Sequence, residues 1–381
     1  MRIARCGKAV GVAVLLAVVS FPLVLFFMGC GGTKSGSSII SSPAIDEPPT
    51  GDRIGITIGD DFEQLSDSDL EASMDDIESL HVGWLRFEMS WTHAQPDDQN
   101  HFKWESFDRI VEAAARHNIQ VLPILAYTPK WARLPACLDS FTCAPVDPSL
   151  FARFAGAAAA HFKTRGVHHW EIWNEPNIDF FWMPKPDAAA YTELLRQSFI
   201  SIKQVDSQAT VISGGLAPVD TPETTVDPRE FLKAMYDDGA KNYMDAVGYH
   251  PYSAPVMPGD VKKTNGWSAM SDLNPSIRSI MADNGDRNKQ IWATEFGVPT
   301  GGPLDYASED LQEYEFAEAM DQMAGKPWLA TLFFHSYKDL GVDRSTINDF
   351  FGIVRYDGSR KPAYFVIKQK LSMPGQIISD H

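Results

Sequence analysis

Cysteine is scarce in this chain, with 4 in 381 residues. That excludes a small disulfide-stapled scaffold and any zinc framework built on repeated Cys pairs. Basic residues are also few: 33 Lys and Arg stand against 50 Asp and Glu, for a formal net charge of −17. Three of those bases (Arg2, Arg5, Lys8) precede residue 30 with no acid beside them, so without them the rest of the chain carries −20. Binding to a polyanion depends on clustered Lys and Arg, so no nucleic-acid partner is expected, and a strongly acidic glycan is disfavoured. Glycine (27) and proline (25) stay at ordinary levels, which excludes a collagenous or mostly disordered chain. No Gly-x-Gly-x-x-Gly follows any candidate strand, so a dinucleotide fold would lack its phosphate loop.

One long apolar run is present. Residues 9–28 carry no charge and directly follow the basic start, the pattern of an export signal. The run is also long enough to span a bilayer. Phe27-Met28-Gly29-Cys30 is similar to a bacterial lipobox, which makes Cys30 the expected lipidation site and the membrane the expected anchor. An uncleaved N-terminal helix is the alternative, and both readings export the rest. The expected organisation is a signal over 1–30, a Gly/Ser/Pro linker over 31–53, one domain over 54–371 and a tail over 372–381. In an oxidising compartment Cys137 and Cys143 are expected to form a local disulfide. A metal at that pair would want two further ligands, and none lies nearby, so no metal site is expected.

From residue 54 short apolar strands alternate with helical patterns eight times. The strands are expected over 54–59, 82–88, 119–125, 168–173, 209–215, 244–249, 290–295 and 329–335. Helices are expected over 66–80, 104–117, 148–163, 186–205 and 362–371. Ile110, Val111 and Ala114 recur at the spacing of a helix packed on a sheet. Continuous apolar strands alternating with helices imply a parallel sheet covered on both faces. Eight such units predict a single (β/α)8 barrel, an α/β fold.

Chemistry in such barrels gathers at the C-terminal ends of the strands. Strand two ends in Arg86, with Glu88 and Trp91 beyond it. Strand four runs through Glu171-Ile172-Trp173-Asn174-Glu175, strand six gives His250 and Tyr252, and strand seven gives Thr294 and Glu295. Strand eight ends in His335, Ser336 and Tyr337. Two carboxylates at one barrel mouth, Glu175 and Glu295, are what glycosidic cleavage needs. One acid protonates the departing oxygen while the other carboxylate attacks the anomeric carbon or activates water. Their environments should push the two pKa values apart. Arg86 is placed to hold Glu295 ionised, and Asn174 to donate to a sugar hydroxyl. Glu171 is expected to ion-pair inside the barrel, and His168 and His169 lie at its non-catalytic end. Among the tryptophans just beyond strands (Trp91, Trp131, Trp173, Trp182, Trp267), Trp131 and Trp182 are the first candidates for stacking on sugar rings.

Trp173-Asn174-Glu175-Pro176 with Thr294-Glu295-Phe296-Gly297 resembles clan A of the retaining glycoside hydrolases. The longer string HHWEIWNEPN is most similar to family 39, with the cellulase-like family 5 next. The resemblance implies that Glu175 is the general acid/base and Glu295 the nucleophile. It also implies that Asn174 binds the 2-hydroxyl, that Arg86 and Tyr252 hydrogen-bond the nucleophile, and that His250 lines the site. Many clan members end strand eight in a Trp that floors the sugar subsite. Here Phe334, His335 and Tyr337 take that place, with Tyr337 expected to touch substrate. No cofactor is implied, because protonation and covalent catalysis need only the two acids. The expected partner is a neutral β-linked glycan, cleaved by a monomer. A non-catalytic glycan-binding lipoprotein and a transglycosylase using the same two residues remain the alternatives.

Overall fold

The computed structural model describes residues 51–220, 224–260, 262–303 and 306–372. The segment expected to be an export signal, Cys30, most of the expected linker and the tail beyond 372 lie outside the described residues. Among the described residues no helix is long and apolar enough to cross a membrane.

Eight parallel strands close on themselves in chain order. They are β1 (Ile54–Thr57), β2 (Trp84–Ser90), β3 (Gln120–Ala126), β4 (His169–Ile172), β5 (Thr210–Ser213), β6 (Ala246–Tyr249), β7 (Gln290–Phe296) and β8 (Leu329–His335). Pairing of β1 with β8, from Ile54 opposite Leu332 to Thr57 opposite His335, completes the ring. The expected (β/α)8 barrel is what forms. At its lower rim Gly51–Arg53, in the stretch read as linker, makes a short 3-10 turn whose Arg53 guanidinium donates to the carbonyl oxygens of Leu329 and Lys326.

The helices follow from local signals. Ser66 caps Asp67–Glu78 by accepting from the Asp69 amide. Asp147 and Asp227 do the same for Pro148–Phe162 and Pro228–Asp237, each with proline in the first turn, where its missing N–H costs nothing. In Glu105–Arg116, Phe107, Ile110, Val111 and Ala114 are buried against the sheet, the i, i+3, i+4, i+7 stripe of an amphipathic helix.

Side chains alternate along a strand, so every second residue points into the barrel. Trp84, Leu122, Ile212, Trp292 and Phe333 fill the lower floor with apolar bulk. Trp84 meets Trp292 edge-on at 5.2 Å and His169 at 4.8 Å. Two residues further up, the same faces present Arg86, Glu171, Thr294 and His335. A dry aromatic floor therefore carries a polar one above it, and the polar floor faces the C-terminal rim.

Strand seven departs from this alternation. Ala293 lies opposite Leu332 and Phe296 opposite Phe334, so three steps on β7 match two on β8. This bulge inserts one residue. Thr294 keeps its inward place and Glu295, which regular alternation would turn outward, also reaches the barrel mouth. Phe296 then packs on Phe316 of the outer helix Glu309–Met323, as an outward residue should.

Candidate active site

Arg86 is the hub of the polar floor. Its Nε donates to Glu171 Oε2 at 2.7 Å, Nη1 to Glu295 Oε1 at 2.7 Å, and Nη2 to Asn174 Oδ1 at 3.3 Å. Glu171, wholly buried, takes its remaining bonds from the Thr294 hydroxyl at 2.8 Å and the Gly215 amide at 3.0 Å. Its expected ion pair within the barrel is thus present, and its complete burial keeps it from substrate. Replacing Arg86 with Leu would strand Glu171 and weaken the hold on Glu295. We expect a loss of about 3–5 kcal/mol in denaturant unfolding, the usual cost of breaking a buried pair from one side. A loss below about 1 kcal/mol would show that the guanidinium is not the anchor described.

After β4 the chain turns sharply upward. Trp173 and Glu175 both take positive φ, 73° and 41°, a region costly for residues with a Cβ. The turn is held by the Trp173 amide donating to the Leu125 carbonyl and the Glu175 amide to the Gly215 carbonyl. Two glycines after β5 make room for it. A Cβ on Gly214 would lie 2.5 Å from the Trp173 carbonyl oxygen, and one on Gly215 2.1 Å from His250 Nε2. The strain aims Glu175 into the mouth, where its Oε1 lies 2.8 Å from His250 Nδ1.

Glu295 faces it. Besides Arg86 it accepts from the Tyr252 hydroxyl at 2.7 Å, with His250 Nδ1 at 3.7 Å and His335 Nδ1 at 3.9 Å. Donor atoms of Glu175, His250 and Glu295 lie within 4.8 Å of one another. The two carboxyls are electrostatically unlike. Burial pushes the Glu175 carboxyl up, opposed by the His250 bond and helped by the charge of Glu295. Burial would raise Glu295 as well, but His250 and Arg86 outweigh it and hold that carboxyl well below the usual carboxylate range. His250 is itself raised against burial by its two carboxylate neighbours, and burial lowers His335. Glu175, His250 and Glu295 form one of two groups among the described residues with metal-ligand spacing. The other is Asp75, Glu78 and His117 on the surface. In the first, the donor atoms already serve ion pairs with one another and with Arg86, and in the second His117 pairs with both carboxylates.

The structure brings Glu175, Glu295, Asn174, Arg86, His250 and Tyr252 together, and three aromatic candidates need correction or qualification. Trp182 is 2 % exposed and packs edge-on against Trp173 and Tyr191, so it belongs to the core. Tyr337 turns outward, with its hydroxyl on Asp76 Oδ2 at 3.0 Å and its ring against Phe62, because it lies beyond the end of β8, where strand alternation no longer sets its direction. Trp131 is half-buried, its indole N–H donating to the Gln95 carbonyl and its ring against Trp91. Trp91, Trp173 and Trp267 are buried. The sequence placed His335 at the end of strand eight but gave the substrate contact there to Tyr337, whereas it is His335 that faces Glu295. Counting in twos from the floor residue Phe333 would have found it. Glu88, two residues past Arg86 on the same face, is pushed up to about 8 by burial and by the charge of Asp60. The Cys137–Cys143 disulfide is formed.

A closed parallel barrel with an Asn-Glu pair after strand four, a Glu ending strand seven and an Arg on strand two is the arrangement of clan A of the glycoside hydrolases. The profile of Cellulase (glycosyl hydrolase family 5) matches residues 57–330, and the chain belongs to that family. Similar solved structures include a family 39 glycoside hydrolase from the gut symbiont Bacteroides cellulosilyticus WH2 (22% identity, TM-score 0.68, 85% of this chain and 64% of that one). A monomeric β-xylosidase from Caulobacter crescentus CB15 follows (19% identity, TM-score 0.64, 86% and 70%). Xylanase 10B from Thermotoga petrophila RKU-1, in complex with xylobiose, is similar over 84% of this chain and 94% of its own (18% identity, TM-score 0.58). No curated protein matches the sequence. The chain thus spans under two thirds of the first of these structures, and the family 39 likeness expected from HHWEIWNEPN appears at the level of fold.

Proposed function

We propose that the protein is a retaining glycosidase that cleaves a neutral β-linked oligo- or polysaccharide by double displacement. Glu295 acts as nucleophile and Glu175 as general acid and base. The observation that carries this is the pairing of two carboxyls within 4.8 Å, one pushed up in pKa and the other held down. Retaining enzymes need a close pair, about 5–5.5 Å apart, whereas inverting ones leave room for water at about 6.5–9.5 Å.

In the first step an oxygen of Glu295 bonds to the anomeric carbon as the glycosidic C–O bond breaks, and the Glu175 proton passes to the departing oxygen. In the second, Glu175 takes a proton from water, whose oxygen attacks the same carbon and releases Glu295. Asn174, held through its oxygen by Arg86, keeps its amide N–H groups for a sugar hydroxyl. The surplus of acid over base on the chain supports a neutral substrate. The names of the similar structures, a β-xylosidase and a xylanase, support a β-linked one. The N-terminal sequence supports export, with anchoring at the cell envelope through a lipid on Cys30, and the monomeric β-xylosidase among the similar structures supports action as a monomer.

Reducing-sugar release from a panel of neutral β-glycans tests the reading, and the pH dependence sharpens it. Turnover needs Glu295 ionised and Glu175 protonated. Since the first is held below and the second above the ordinary value of about 4.3, the acid limb of kcat/KM should lie below that value and the alkaline limb above it. A pH profile breaking near 4.3 would contradict the electrostatic assignment. Glycan binding without release would turn the reading to a lectin-like protein, and products longer than the substrate to a transglycosylase.

A further inference from the structure

The loop after β3 and the turn after Glu175 together carry an exposed aromatic patch. Phe141 is 49% exposed and Phe180 65%. A run of ring contacts links them. Phe141 meets Tyr127 edge-on at 5.0 Å, Tyr127 stacks with Phe181 at 6.3 Å, and Phe181 meets Phe180 at 4.9 Å. The two loops are stitched together by the Ala144 amide donating to the Met183 carbonyl and the Met183 amide to the Thr142 carbonyl.

This run of rings is continuous with the catalytic segment. Tyr127, buried at the end of β3, lies 6.0 Å from the ring of Trp173, two residues before Glu175. The Trp173 indole N–H donates to the Phe181 carbonyl at 2.8 Å. From Glu175 the chain runs through tight turns, Ile178 bonding back to Glu175 and Phe181 to Ile178, directly to Phe180. Phe141 is fixed from the other side. The Cys137–Cys143 disulfide closes the loop around it, its carbonyl accepts from the Thr128 amide at 2.8 Å, and Arg133 donates to the Leu138 carbonyl. Two large rings held rigidly toward solvent have no role in the core, and fixing them in place is what a preformed binding platform requires.

We propose that Phe141 and Phe180 form a stacking platform for a sugar ring on the leaving-group side of the scissile bond. The occupant is a pyranose of a β-linked chain, whose C–H face packs on an aromatic ring. The side follows from Glu175: an acid that protonates the departing oxygen stands next to the departing sugar, and the patch grows out of its segment. The inference rests on the role of Glu175 given above and deepens it, since it makes the substrate an oligosaccharide or polymer that extends past the cleaved bond.

The test uses the full chain and two substrates: an aryl β-glycoside, whose leaving group carries no sugar, and the matching β-linked oligosaccharide. The measured quantity is the ratio of kcat/KM on the oligosaccharide to that on the aryl glycoside. Phe141→Ala is expected to lower this ratio about tenfold, the equivalent of one aromatic contact. Phe141→Tyr should restore it, and Phe180→Ala should lower it as well. Cys137→Ser with Cys143→Ser should lower it in the same direction by loosening the loop. An unaltered ratio in both Ala variants overturns the platform. A loss shared equally by the two substrates overturns it too, because that is the signature of damage to the fold. If the wild type turns over neither substrate nor any member of the glycan panel, the glycosidase reading itself fails and the platform falls with it.

Discussion

Glu295→Gln is expected to abolish turnover of every glycoside, lowering kcat by about 10⁴-fold or more. Gln keeps the shape and can still accept from Arg86. It removes the negative charge that makes the oxygen a nucleophile, and with it the covalent glycosyl-enzyme. Stability should suffer little, because the Arg86 guanidinium remains paired with Glu171 at 2.7 Å. The decisive measurement is mass spectrometry of protein quenched during turnover of a slowly deglycosylated substrate. The wild type should gain one glycosyl unit on the peptide containing Glu295, and the variant none. An adduct elsewhere, or substantial residual kcat, would remove Glu295 from its role.

Glu175→Ala should have a large but selective effect. A leaving group that is a poor base departs without a proton, whereas a sugar hydroxyl does not. The loss should reach about 10²–10⁴-fold on oligosaccharides. On a glycoside with an acidic phenol the first step should be nearly spared. Water would then lack its base in the second step, so a burst of phenol should precede a slow steady state. A loss that is equal across leaving groups would count against an acid and toward a positioning residue. The alanine also removes the Oε1 contact to His250 Nδ1. His250 should then titrate lower, which NMR of the imidazole can follow.

Much of this site was legible because a barrel strand counts in twos and ends at the mouth. Arg86, Glu171 and Thr294 each lie two residues above an apolar floor residue or its neighbour, and strand assignment alone predicts their meeting. Where the chain leaves the strands, counting stops helping. Tyr337 and Trp182 are aromatic and close to the right strand ends, yet Tyr337 turns toward Asp76 and Trp182 folds under Trp173. Loop conformation decides both, and composition does not encode it. Phe141 went unread for the converse reason. Nothing in PACLDSFTCAP says which apolar residue the disulfide holds outward. The positive φ at Trp173 and Glu175 was equally hidden, since neither residue type prefers it.

The extra residue in strand seven bears on how such a protein changes over generations. Ala293 and Phe296 keep their partners Leu332 and Phe334 on either side of it. Deleting one residue there would return the strand to regular alternation without opening the barrel. The one residue left between Ala293 and Phe296 would face inward: deleting Glu295 leaves Thr294 there and removes the second carboxylate, with Arg86 and Glu171 still paired, whereas deleting Thr294 puts Glu295 in its place. Loss of the codon for Glu295 is therefore a short path that removes the second carboxylate while the barrel stays closed, and the reverse insertion an equally short path back.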